Sequence, residues 1–146
     1  IVLACDLAIA VRDARFGLPE PKIGLAAAGG LHRLVRQVPA KQAMEIALTG
    51  RLFSAEQAKE YGLVNAVVDA DEFDGVLADL ITELLACAPL SLRATKQMML
   101  DGLMAGSVES AFGANYSAYK TMLSSKDAEE GSRAFIEKRE PVWQGR

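Results

Sequence analysis

The 146-residue chain carries 16 Lys and Arg against 19 Asp and Glu, and half of it is hydrophobic. A net charge of −3 argues against general nucleic-acid binding, which needs a basic face, while the length suffices for one fair core. No apolar run reaches the roughly 20 residues of a membrane span, so no membrane partner is expected. Cys5 and Cys87 stand far apart in the chain, with no metal-like spacing. They read as buried, reduced thiols of a reducing, cytoplasmic setting.

Taken in order, residues 1–4 are too short to classify. Residues 7–11 are apolar throughout, as a strand covered on both faces would be. A turn at 12–14 leads to a short strand at 15–17. Leu31, Leu34, Val35 and Val38 fall at i, i+3, i+4 and i+7, which predicts a two-turn helix stopped by Pro39. Ala40, Ala43, Met44, Ala47 and Leu48 mark one face of the next helix, ended by Gly50. Ser54 and Gln57 form a capping box for a short helix ending at Gly62, and the valine-rich stretch 63–68 reads as a strand.

The clearest helical period belongs to Phe73, Val76, Leu77, Leu80, Ile81, Leu84 and Leu85. Pro89 separates it from a helix over 90–103, with Leu92, Met99 and Leu103 toward the core. Ser107 is expected to cap a helix running to about residue 123. Asp127 and Glu130 suggest a second capping box for the last helix, which Pro141 would end. The pattern divides into residues 1–70, with at most three strands, and a helical stretch 71–146. So few strands cannot make a self-sufficient sheet. The chain also begins mid-element, without Met, and is expected to be the C-terminal part of something longer.

One carboxylate stands out. Glu20 lies between Pro19 and Pro21, with Phe16, Leu18, Ile23 and Leu25 around it. Proline fixes its own φ and pushes the preceding residue toward extended backbone, so Glu20 is held in a narrow range. Apolar neighbours strip water from a carboxyl group, which favours the protonated form and suits proton exchange near neutral pH. The local sequence alone is equally compatible with a solvated glutamate. Gly29 and Gly30 lack Cβ atoms, which serves a tight entry into a helix or a close approach of helix N–H groups to a ligand. His32, the only histidine, sits on the polar side of its helix beside Arg33 and Arg36, without partners for nucleophilic or metal chemistry. Phe135 and Lys138 are three apart, as a core aromatic beside a surface lysine would be. Asp6 and Trp143 read as structural.

Several of these pieces recur together. Phe16-Gly17-x-Pro19-Glu20, Gly24, Gly29-Gly30-x-x-Arg33-Leu34, Leu48-Thr49-Gly50, Ser54-Ala55-x-x-Ala58, Gly62-Leu63-Val64 and Glu130-Gly131-x-x-Ala134-Phe135-x-x-Lys138-Arg139 stand in order along nearly the whole chain. In this the chain resembles the enoyl-CoA hydratase/isomerase family, or crotonase superfamily. The resemblance implies an α/β, crotonase-like fold, with 71–146 a helical region of the kind through which members form trimers or dimers of trimers. It implies an acyl-CoA thioester as substrate, no cofactor beyond the CoA which that substrate carries, and no metal. Glu20 takes the position of a glutamate that exchanges a proton at the α- or β-carbon of the thioester. Gly29 would lie near the substrate, and Phe135 and Lys138 would hold the adenine and phosphate of CoA, often across a subunit boundary.

By the same resemblance, the two N–H donors for the enolate oxygen, and the Gly-Gly-x-Glu glutamate of hydratases, would lie upstream of Ile1. Two glutamates imply reversible hydration of a 2-enoyl-CoA; one implies double-bond isomerisation. Carnitinyl-CoA dehydratases share the ending Glu-Lys-Arg-Glu-Pro-Val-Trp-x-Gly-Arg, and decarboxylases are related. A helical half acting only in assembly is the reading from a different class. Two departures from the family pattern are visible: Glu20 stands one residue closer than usual to the glycine pair, and Ala26–Ala28 lacks the customary glycine or proline.

Overall fold

The computed structural model describes residues 1–146, which form two compact units, Ile1–Asp79 and Leu80–Arg146. In the first, a 3-10 turn over Val2–Ala4 precedes β1 (Ile9–Val11) and β2 (Arg15–Phe16). A second 3-10 turn, Glu20–Ile23, leads to α1 (Ala28–Gln37) and α2 (Ala40–Thr49). Then come β3 (Phe53–Ser54), α3 (Ala55–Glu60) and β4 (Ala66–Val68), and α4 (Phe73–Leu85) runs on into the second unit.

Strand β1 pairs in parallel with β4, Ile9 opposite Ala66 and Val11 opposite Val68. Asn65 locks this register from both sides. Its N–H donates to Ala8 O at 2.7 Å, and its Oδ1 accepts from Ala8 N–H at 2.8 Å. The second pair, β2 with β3, is antiparallel. The two-residue strand β3 adds to the three that the sequence signalled; it is too short to show a period. Phe16 stacks on Phe53 at 6.0 Å, and Phe53 meets Tyr61 at 5.6 Å. Around them lie Ala10, Leu34, Val38, Ala43, Ile46 and Val64, all buried. Each fully buried Leu, Ile or Phe contributes roughly 1.5–3 kcal/mol. Ala55 and Ala58 are wholly covered, which lets α3 press its backbone onto the strands. The Ser54 capping box is formed, Gln57 N–H donating to Ser54 Oγ at 3.2 Å and Ser54 N–H to Gln57 Oε1 at 3.1 Å.

The predicted face of α2 is corrected. Ala43 and Ile46 are buried, whereas Met44 is exposed and Leu48 is 73% exposed. Apolar residues cover most of this helix's circumference, so periodicity could not choose the inner side. Val35 on α1 is likewise exposed. Along α4, Phe73, Val76, Leu77 and Leu80 are half-buried, and Ile81, Leu84 and Leu85 are exposed. Both cysteines are exposed free thiols, contrary to expectation; each sits in a short turn where its Sγ reaches a carbonyl four residues earlier.

The second unit holds α5 (Pro89–Gly102), α6 (Val108–Phe112), α7 (Ser117–Leu123) and α8 (Lys126–Glu137). The single helix expected over 107–123 is broken in two. Ser107 does cap α6, with Ser110 N–H donating to its Oγ at 3.1 Å. Gly113 ends that helix, and Tyr116 turns inward, its hydroxyl donating to Ala111 O at 2.8 Å. Gln97 of α5 accepts from Ala118 N–H at 2.9 Å, satisfying a donor in the first turn of α7. No single helix is long and apolar enough to cross a membrane.

The last helix is also corrected at both ends. Its cap is Ser125, which accepts from Ala128 N–H at 3.1 Å, and not Asp127. It stops at Glu137, with Lys138 in the left-handed region at φ 54°, three residues before Pro141. Residues 139–146 then fold back as a strap. Arg139 forks onto Glu130 at 2.6 and 3.0 Å and reaches Glu137 at 2.6 Å. Val142 N–H donates to Glu130 at 2.9 Å, and Trp143 Nε1–H donates to Ala86 O at 2.8 Å, its ring lying over Gly131. The structural reading of Trp143 therefore stands.

Hydrogen bonds from Arg139, then from Val142 N–H, hold the Glu130 carboxyl down at about 2. A carboxyl whose value is lower folded than unfolded adds stability above its ordinary value, and that stability fades as pH falls toward the folded one. Acid titration of the complete protein should therefore release the strap between about pH 4.5 and 2. Trp143 fluorescence reports the release. In Glu130→Gln the acid-dependent change in this window should shrink, and a change of undiminished size would remove Glu130 as a cause.

Candidate active site

The site is built on the loop after β2. A Cβ on Gly17 would meet Arg51 O at 2.8 Å, so only glycine lets the chain pass residues 51–52 this closely. Leu18 and Pro19 then lead into the turn Glu20–Ile23. Lys22 N–H donates to Pro19 O (3.0 Å), Gly24 N–H to Pro21 O (3.2 Å) and Leu25 N–H to Glu20 O (3.0 Å). Gly24 closes the turn at φ 76°, a conformation costly for other residues. Glu20 is thus in a 3-10 turn and not extended, as the following proline alone would favour. The turn's hydrogen bonds win, and Pro21 sits near its start, where a missing N–H costs nothing.

Glu20 is half-buried, and its Oε2 is shut off from solvent with no hydrogen-bond donor in reach. Burying an unpaired carboxyl oxygen costs free energy, and such orphan groups are rare away from functional sites. It lines a cavity of about 330 Å³ together with Leu3, Leu18, Ala27, Gly29 and Arg33. The drying residues differ from those the sequence suggested. Ile23 and Leu25 are exposed, and Phe16 belongs to the aromatic core. Leu3, from the start of the chain, and Ala27, at the foot of α1, take their place; no local pattern signalled them.

Helix α1 starts at Ala28, so the glycine pair forms its first turn and does not precede it. A Cβ on Gly30 would make ordinary contact with Leu18 and Leu3, and one on Gly29 would meet nothing. Neither glycine is demanded by packing within this chain. Gly29 and Glu20 line the same cavity.

Phe135 and Lys138 belong to the second unit. Phe135 is 86% exposed and so is no core residue, and Lys138 has left the helix, so the two do not stack along one helical face. His32 is exposed, and no group of His, Cys, Asp or Glu is arranged to hold a metal ion. A larger groove of about 1110 Å³ lies among α5, α6 and α7, lined by Met98, Met99, Leu103, Val108 and Phe112. It contains no carboxyl, imidazole or thiol group, so the candidate chemistry stays with the smaller cavity.

The family model described as enoyl-CoA hydratase/isomerase matches residues 1–146. The chain is 41% identical over 145 residues to mevalonyl-coenzyme A hydratase of Aspergillus fumigatus, covering 98% of this chain and 54% of that protein. It is 37% identical over 151 residues to carnitinyl-CoA dehydratase of Salmonella paratyphi A, covering 58% of it. Among solved structures, enoyl-CoA hydratase from Mycobacterium tuberculosis superposes with a TM-score of 0.88 at 38% identity, over 99% of this chain and 57% of that one. Enoyl-CoA hydratase from Bacillus anthracis gives 0.91 at 34% identity, over 99% and 56%. The chain thus spans a little over half the length of the curated relatives it matches. The crotonase-like fold expected from the motifs is the fold observed, in part. On sequence and structure together, the chain belongs to the enoyl-CoA hydratase/isomerase family.

Proposed function

We propose that the complete protein is an acyl-CoA lyase that reversibly adds water across a 2-enoyl-CoA, with Glu20 as general acid/base. The observation that supports this is the orphaned Oε2 of Glu20, a residue that lines a cavity with Leu3, Leu18 and Ala27. A carboxyl oxygen there has nothing to bond until water or substrate arrives. In hydration, the oxygen of water bonds to C3 and a proton is delivered to C2, through an enolate-like anion on the thioester oxygen. Two backbone N–H donors would hold that anion, each worth roughly 10²–10³ in rate at comparable sites.

This chain supplies one carboxyl group to the cavity, which favours a second reading. A lone Glu20 could carry a proton between C2 and C4, as in enoyl-CoA isomerisation. Incubating the complete protein with a 2-enoyl-CoA and, separately, a 3-enoyl-CoA decides between them. Loss of enoyl absorbance from the first marks a hydratase; appearance of the 2-enoyl product from the second alone marks an isomerase. Activity on neither would defeat both.

The CoA end of the substrate falls to Phe135 and Lys138, across a subunit boundary in a trimer or dimer of trimers. The exposed aromatic suits a purine and the free ammonium a phosphate. The exposed apolar residues of α4 suit burial in such an assembly.

Gly29 offers a clean probe. Alanine there replaces a poor helix former by the best one, worth about 0.5–1 kcal/mol, and clashes with nothing in the chain. Gly29→Ala should keep or raise the melting temperature while raising KM by roughly tenfold, because the methyl group enters the substrate's space. An unchanged KM would take Gly29 out of the binding surface.

A further inference from the structure

The Gly29-Gly30-x-x-Arg33-Leu34 motif contains one residue that nothing so far has used. Arg33 lines the same cavity as Glu20, yet the two do not pair. Elsewhere in the chain, three guanidinium groups hold acids. Arg12 bridges Asp69 and Glu56, Arg51 meets Glu45, and Arg139 forks onto Glu130. The exposed side chain of Arg33 makes no hydrogen bond or ion pair within the chain, although burial of Leu34 beside it fixes which way α1 turns.

Resting on the assignment of Glu20, we infer that Arg33 positions the substrate by holding an anionic group of it, while Glu20 works on the carbon chain. Helical side chains lean toward the N-terminus, and positions three and four before Arg33 are the bare glycines, so its path over the first turn is clear. A cavity of about 330 Å³ fits a short acyl group with one charged end. The planar guanidinium offers forked donors that match a carboxylate or a phosphate. Separation from Glu20 matters as well. A guanidinium bonded to that carboxyl would hold it charged and occupy the oxygen that must exchange a proton.

The anion has two sources, a carboxylate on the acyl chain or a phosphate of CoA, and four substrates separate them. These are a neutral short 2-enoyl thioester and one ending in a carboxylate, each made with CoA and with phosphate-free pantetheine. The complete protein, Arg33→Ala and Arg33→Lys are compared for KM, kcat and melting temperature. Dissociation constants are measured by calorimetry in the Glu20→Gln background.

For an acyl carboxylate, Arg33→Ala should raise KM and Kd roughly 10- to 100-fold for both carboxylated thioesters and leave the neutral pair within twofold. For a CoA phosphate, both CoA thioesters should weaken and both pantetheine forms should not. In either case kcat holds, lysine restores part of the affinity, and the melting temperature stays put. A KM unchanged for all four, an equal loss for all four, or a fall in melting temperature alone would overturn the assignment. Because binding is read without turnover, failure of the Glu20 reading shows separately, as activity surviving in Glu20→Gln.

Discussion

Glu20→Gln in the complete protein is expected to cut hydration of a short 2-enoyl-CoA by about 10²–10⁴-fold while leaving substrate affinity within a few-fold. Glutamine keeps the size and most of the hydrogen-bonding shape of the side chain, but it cannot give up and regain a proton. The loss should therefore fall on kcat, with little change in KM, as when an interaction made only in the transition state is removed. Stability should move the other way. The wild-type protein keeps a carboxyl oxygen shut off from water without a partner, at a cost in stability that an amide of the same size does not exceed. The melting temperature should thus hold or rise, the trade expected of a residue kept for chemistry. Glu20→Asp adds a finer test, since it keeps the proton and retracts it by one methylene. A misplacement near 1 Å costs on the order of 10²-fold at well-aligned sites. Turnover of the glutamine variant within tenfold of wild type, followed by loss of enoyl absorbance, would end the assignment.

What the sequence revealed and what it hid divide along the range of the interactions. Local chemistry was legible: the serines at 54 and 107 cap helices, Gly50 ends its helix in left-handed backbone, and the valine-rich stretch before Asp69 pairs as a strand. Glu20 was marked by its flanking prolines and by the family motif. Its true surroundings were not, because Leu3 and Ala27 reach it only through the fold. The same holds for α2, where apolar residues span more than half of the circumference and leave the inner face to the neighbours, and for Phe135, whose side chain is outside any core. At 125–130 two acceptors compete for the cap, and Ser125 takes the first turn because Asp127 is drawn to the returning strap. The break at Gly113–Tyr116 depends on a tyrosine hydroxyl finding a carbonyl five residues back, which no helical period reports.

That strap leads to the largest expected effect on stability. Asp127 is 2% exposed, and its two oxygens accept from Gln144 N–H at 2.7 Å and Gly145 N–H at 2.9 Å. Beside it, Lys126 N–H donates to Arg146 O at 2.8 Å. Hydrogen bonds to a charged group are worth roughly 1.5–3 kcal/mol each, and here the backbone donors of two exposed residues, Gln144 and Gly145, depend on one buried carboxylate. Asp127→Ala should therefore destabilise by about 2–4 kcal/mol, since both N–H groups lose a charged acceptor at once. Asp127→Asn should cost less, because one oxygen still accepts while the amide's NH₂ group faces a second donor. At roughly 4–8 °C per kcal/mol for a unit of this size, alanine should lower the melting temperature by more than about 10 °C. Amide exchange at Gln144 and Gly145 should quicken before any change in the strands of the first unit, and the exposed Asp71→Ala serves as the control. If Asp127→Ala melts within about 2 °C of that control, the strap is held by Glu130 and Trp143 alone, and the role assigned to Asp127 is wrong.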